Sequence, residues 1–144
     1  MRITYKGDYA LKTMLELSRV PRGQVITISD LAEKLDIPQK FLEQVLMDLR
    51  RGGFVQSRRG KHGGYILAKS ADEITVLDIV RLIDHPVEPI ACVDCEYKGC
   101  RDMSSCAFRP LFVSAHEAVN RILSEATLGS LLRKGQEQQI GFDI

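Results

Sequence analysis

The 144-residue chain has no stretch approaching the roughly 18 uncharged apolar residues that a membrane span requires, so no membrane partner is expected. Its start, "MRITYKGDYALK", scatters charge where a secretory leader would carry an apolar run and small residues. The expected compartment is therefore the reducing cytoplasm. There is no internal repeat and no low-complexity segment. Histidine occurs only at His62, His85 and His116, and cysteine is absent outside residues 92–106. The Cys92-x2-Cys95 pair does not open a helix after a strand, and no histidine–acid group lies near it. An enzyme such as a thiol oxidoreductase is not expected, and no catalytic residue or small-molecule substrate is assigned.

What is present suits a folded domain with an appended arm. Hydrophobic residues make up 44% of the chain and charged residues 27%, enough for a packed core. The net charge of +1 hides an asymmetry. Residues 1–70 carry thirteen Lys/Arg against seven Asp/Glu, a net of +6. Residues 71–144 carry seven against twelve, a net of −5. An anionic partner is expected for the first half only.

Hydrophobic spacing predicts a helix over 5–19, with Ala10, Leu11, Met14, Leu15 and Leu17 inward and Asp8 near its start. After a break at "PRG", "TISDLAEKLDI" reads as a short helix capped by Thr27. A turn at "DIP" leads to "PQKFLEQVLMDLRRGG". There Phe41, Leu42, Val45, Leu46 and Leu49 are expected to face inward, and Lys40, Glu43, Gln44, Met47 and Arg51 outward. Two short helices across a tight turn form a helix-turn-helix over about 28–51. The period then changes, and "FVQSRRGKHGGYILA" predicts a hairpin with arms Phe54–Ser57 and Tyr65–Ala68. The fold class is thus mainly α with a small β-hairpin: a winged helix-turn-helix domain over 1–84, with its wing at about 54–68. A proline-bearing link and cysteine loop cover 85–107. A long helix from about Phe108 to Ala126 carries an apolar stripe of Phe112, Ala115, Val119, Ile122 and Leu123. A short helix completes 108–134, and 135–144 reads as a loose tail.

Arg50, Arg51, Arg58, Arg59 and Lys61 lie within twelve residues that contain no acid. Such a run on a winged helix predicts contacts with duplex DNA, whose phosphates release counterions to Lys and Arg. Gln39, Lys40, Glu43 and Gln44 are the candidates for reading bases. Arg59, Lys61 and His62 are the candidates for phosphate or minor-groove contact. Thr27 and Ser29, at the start of the preceding helix, complete the set with Arg50, Arg51 and Arg58. The long late helix is expected to pair with its copy in a homodimer that reads a palindromic site.

The four cysteines follow the spacing Cys92-x2-Cys95-x4-Cys100-x5-Cys106, with Gly99, Ser104 and Ser105 among them. Soft thiolates suit iron–sulfur clusters and zinc. Only Cys92–Cys95 has the close spacing of a zinc knuckle, which places the cluster ahead of zinc. A thiol–disulfide switch, or no shared role, stays open on spacing alone.

"MRITYKGDYAL" at the start, "FLEQVLMDLRRGGFVQSRRGKHGGYIL" at 41–67 and the late cysteines resemble the Rrf-two family. This is the group of bacterial winged-helix transcription regulators that includes IscR, NsrR and RirA. The resemblance covers nearly the whole chain. It implies a transcription regulator, in most cases a repressor, acting as a homodimer with crossed C-terminal helices. It also implies an iron–sulfur cluster, 2Fe–2S or 4Fe–4S, whose state alters DNA binding in response to iron, nitric oxide or redox state. By position, the implied ligands are Cys95, Cys100 and Cys106, with Cys92–Cys100–Cys106 as the alternative set. IscR-like members place a histidine ligand three residues after the last cysteine, but this chain has Arg109 there, which cannot ligate iron. The fourth ligand is then Cys92, or Asp8 of the other subunit, a position that supplies a carboxylate in some NsrR-like members. His116 is expected to be a surface histidine. The resemblance also implies that the CymR-like branch, which lacks the cluster cysteines, does not fit.

Overall fold

The computed structural model describes residues 3–85 and 88–142, with side chains as far as Gln136. Pro86 and Val87 of the predicted link, and residues 143–144 of the predicted tail, lie outside the described residues. Helix α1 spans Tyr5–Arg19, α2 Ile28–Leu35 and α3 Gln39–Arg51. The antiparallel strands β1, Val55–Arg58, and β2, Gly64–Leu67, follow. Helices α4, Val76–Asp84, α5, Arg109–Glu125, and α6, Leu128–Phe142, complete the order. This is a winged helix-turn-helix with a further pair of helices.

Each helix of the first half starts and stops for a local reason. Thr4 and Thr27 accept backbone N–H groups of the first turns of α1 and α2, from Gly7 and Asp30 respectively, satisfying donors that a helix start leaves free. Asp36 ends α2 in a left-handed conformation (φ 51°), which a short polar side chain tolerates. Pro38 then caps α3, so the turn between the two helices is only three residues long.

One core holds these parts together. Leu42, Val45, Leu46 and Leu49 of α3 are buried against Ala10, Met14 and Leu17 of α1 and Leu31 of α2. Val55, Ile74 and Ile79 continue the same cluster. Phe41 departs from the predicted inward stripe: it is 61% exposed, because it sits at the edge of that stripe in the first turn of α3, where no neighbouring helix reaches it. The strands are shifted by one residue from the predicted arms, and Val55 pairs with Leu67 and Arg58 with Gly64.

The predicted tail is corrected too. Residues 135–142 are helical as the continuation of α6, in keeping with the glutamines and glutamate that fill the segment. The chain returns to the first core at the start of this helix. Leu128 is buried there, its N–H donates to the carbonyl of Ile74 (3.0 Å), and Val76 N–H donates to the carbonyl of Ala126 (2.9 Å).

Polar ties fix α1 to its neighbours. Glu16 is buried although charged, and it is paired with Arg19 (3.0 Å) and with Lys34 of α2. Nothing in the spacing of α1 marks Glu16 as inward, since one of its two partners, Lys34, comes from another helix. Lys6 meets Asp48 of α3 at 2.5 Å, and that ion pair holds the Asp48 carboxyl below the ordinary aspartate range. Thr4 donates through its N–H (3.0 Å) and hydroxyl (2.5 Å) to the carboxylate of Asp84, at the end of α4.

Gly7 is required by this last tie. A Cβ at that position would lie within clash distance of the Asp84 carboxylate. Gly7→Ala is expected to cost about 1–3 kcal/mol through overpacking, despite alanine's higher helix propensity, as read from urea denaturation. The Asp48 carboxyl gives a second expectation. A lowered folded-state pKa contributes stability that is present above the ordinary aspartate value and is lost as pH falls through the folded one. Melting temperature should therefore fall less steeply below about pH 4 in Asp48→Asn than in the wild type.

Candidate nucleic-acid interface and thiol loop

Packing α3 by one face turns the other outward. Lys40, Glu43, Gln44, Met47 and Arg51 are all exposed, as predicted from their spacing. Gln39 donates to Glu43 (3.3 Å) one turn on, and Arg51 lies 3.9 Å from Asp48. Gln44 also reaches Asp48 and adds to the lowering of its carboxyl. Among the described residues Lys40 has no ion pair, so its charge is available to a ligand.

The wing stands beside α3 because β1 leaves directly from the turn that ends it. Two of the predicted basic residues help to build this arrangement. Arg50 donates to the hydroxyl of Ser57 (3.1 Å), and Arg58 donates to the carbonyl of Gly23 (3.2 Å). The sequence pattern did not reveal a third short strand segment: Ile26 and Tyr65 exchange hydrogen bonds of 3.1 and 2.8 Å across the base of the wing. Gly64 is needed for that approach, since a Cβ there would stand 2.5 Å from the Ile26 carbonyl oxygen. Arg59, Lys61 and His62 occupy the exposed turn between the strands. The predicted base-reading and wing residues thus belong to two adjoining elements. Ser29 is exposed in the first turn of α2, whereas the Thr27 hydroxyl is engaged in capping, donating to Asp30 (2.7 Å).

The four cysteines lie on a turn-rich loop between α4 and α5, and all are free thiols. Cys95 and Cys100 are exposed, while Cys92 and Cys106 are half-buried. Arg109 donates to the carbonyl of Cys92 (3.1 Å) and so ties the start of the loop to the start of α5. The donor set suits a thiolate-bound cluster in number and chemistry. Among the described residues, however, no three His, Cys, Asp or Glu side chains converge at metal-binding separation within the single chain. Asp8, on α1, is paired with Lys12 (2.6 Å) and lines a surface groove with Ile3, Tyr5 and Leu11. His116 is half-buried on α5, with Nε2 2.8 Å from the amide nitrogen of Asn120. Helix α5 has no buried residue, and Phe108, Leu111 and Ile122 at its start and along it are more than 60% exposed.

No helix among the described residues is long and apolar enough to cross a membrane. Residues 3–134 match the model of the Rrf2 (Rrf-two) family, described as an iron-dependent transcriptional regulator. The chain is 35% identical over 142 residues to a putative helix-turn-helix transcriptional regulator, rrf2-like, of Rhodobacter capsulatus, covering 92% of this chain and 93% of that protein. It is 33% identical over 132 residues to the regulator IscR of Serratia proteamaculans, covering 92% and 79%. The solved structure of CymR, the global cysteine regulator of B. subtilis, superposes with a TM-score of 0.77 at 30% identity, covering 91% of this chain and 95% of that one. The likeness therefore reaches both IscR and CymR, and it is to transcriptional regulators rather than enzymes. The chain belongs to the Rrf2 family of DNA-binding transcription regulators.

Proposed function

We propose that the protein is a homodimeric repressor that binds a palindromic operator and is switched at its thiol loop by an iron–sulfur cluster. The observation that carries this reading is the confinement of four free thiols to the one loop that joins the winged half to α5. Cys95, Cys100 and Cys106 would hold the group, with Cys92 or the other subunit's Asp8 as the fourth ligand. A bound cluster supplies a reversible cross-link between thiolates, which iron loss, nitric oxide or oxidation can undo.

In this reading α3 enters the major groove of each half-site. Gln39, Lys40, Glu43 and Gln44 meet base edges, and Arg59, Lys61 and His62 of the wing meet the backbone. Arg50, Arg51, Arg58, Ser29 and the capped start of α2 at Thr27 flank the same surface. The unburied apolar side of α5 takes its copy from the second subunit. Drawing the loop thiols together fixes the direction in which the chain leaves Asp84 for Arg109, and hence the angle between α3 and the dimer helix. Releasing them frees that angle and changes the separation of the two recognition helices.

A second reading rests on the likeness to CymR and on the free, soft thiols themselves: the same loop carries a thiol–disulfide switch, or zinc. Protein purified without oxygen separates the readings. The cluster reading expects brown protein with matched iron and sulfide. Colourless protein carrying zinc, or no metal, overturns it and leaves DNA binding standing. Cys100→Ala and Cys106→Ala should each lose colour, iron and sulfide while circular dichroism keeps the helical signal. The wing has its own expected outcome. Replacing Arg59 and Lys61 by alanine removes two contacts from each subunit, four per dimer, and should weaken binding to duplexes of any sequence and reduce the slope of log affinity against log salt by about 4, as measured by fluorescence anisotropy.

A further inference from the structure

Phe41 lies outside the core that its spacing predicts for it. It is the third residue of α3 and is 61% exposed, and Met47 is 40% exposed further along the same helix. Single exposed apolar side chains are ordinary on protein surfaces. These two share a setting that scattered ones do not. Phe41 precedes Gln44 by three residues and Met47 follows it by three, so both border that residue on the helix surface. Helix α3 packs against α1, α2, α4 and β1 through Leu42, Val45, Leu46 and Leu49, and these elements leave Phe41, at the edge of that stripe, and Met47 exposed.

The first turn of a recognition helix is the part that meets base edges. In the major groove of unmodified DNA, thymine alone presents an apolar group, its C5-methyl, alongside hydrogen-bonding atoms. We propose that Phe41 is a specificity-determining residue that reads thymine through that methyl, with Met47 extending the apolar contact along α3. Each half-site then carries an A·T pair opposite the first turn of α3, within reach of the Gln44 amide, which can bond adenine. The inference rests on the reading that α3 enters the major groove.

The test uses the full-length protein and a randomised duplex library. The selected duplex is remade with each thymine in turn replaced by deoxyuridine, which removes only the methyl group. Wild-type protein is expected to lose affinity about fourfold at one thymine per half-site, the value for one buried methyl. Phe41→Ala is expected to bind the thymine duplex more weakly and to treat thymine and uracil alike there, while Phe41→Leu keeps part of the preference. The proposal is overturned if every deoxyuridine duplex binds wild type as tightly as its parent. It is equally overturned if Phe41→Ala retains the discrimination, or if Phe41 instead proves to be covered by a protein partner in the DNA-bound state. A wild type that enriches no sequence, or enriched binding indifferent to Gln44→Ala and Lys40→Ala together, sinks the major-groove reading itself.

Discussion

Burial of one face of α3 is the constraint on which the rest depends. Leu42, Val45, Leu46 and Leu49 take the helix into the common core and turn Lys40, Glu43, Gln44 and Arg51 to the exposed side. A Leu or Val fully removed from water contributes about 1.5–3 kcal/mol, so four of them set the orientation of α3 far more firmly than any surface ion pair. Rotation of the helix by one residue would carry charged side chains into that core. The outward set from Lys40 to Arg51 follows from this packing, and so does the position of the wing, because β1 begins where α3 ends.

Much of this was legible because helical and strand periods differ. The change from apolar spacing at 42–49 to the glycine-rich basic segment at 58–64 marks the helix, the turn and the wing in a single reading. Phe41 was not legible, because a residue at the edge of an apolar stripe is buried only if a neighbour reaches it. Glu16 was not legible for a related reason: its burial depends on Lys34, whose approach is decided by the α1–α2 packing. The end of the chain misled because glycine at 135 and a polar run resemble a terminus, yet glutamine and glutamate sustain a helix well. The need for glycine at position 7 was not legible either, because it comes from Asp84, which packs against it from the far end of α4.

The thiol loop shows where sequence reasoning and single-chain geometry part company. Spacing identifies four soft donors on one loop, a statement about composition and proximity along the chain. Whether they meet is a matter of loop conformation, and the described residues do not bring three ligating groups together. Arg109 supplies the clearest departure from the IscR-like pattern. At the position where the resemblance implies a histidine, it spends its guanidinium on the Cys92 carbonyl and anchors the loop to α5.

The first turn of α1 connects the two halves of the proposed switch. Thr4 grips Asp84, the last residue of α4 before the segment that leads to the cysteines. Two residues on, Lys6 grips Asp48 on α3, and Asp8 follows on the same turn. The Asp84 carboxylate at the end of α4 is thus shared with the turn that also holds α3. Close packing at Gly7 leaves that turn little room to yield by itself. If Asp8 of the other subunit completes the ligand set, the same turn is pulled from both sides: by its own α4 through Thr4, and by the partner's loop through Asp8. A ligand change at the thiols would then have a short path to α3 in the proposed switch, because this one turn contacts both the end of α4 and α3.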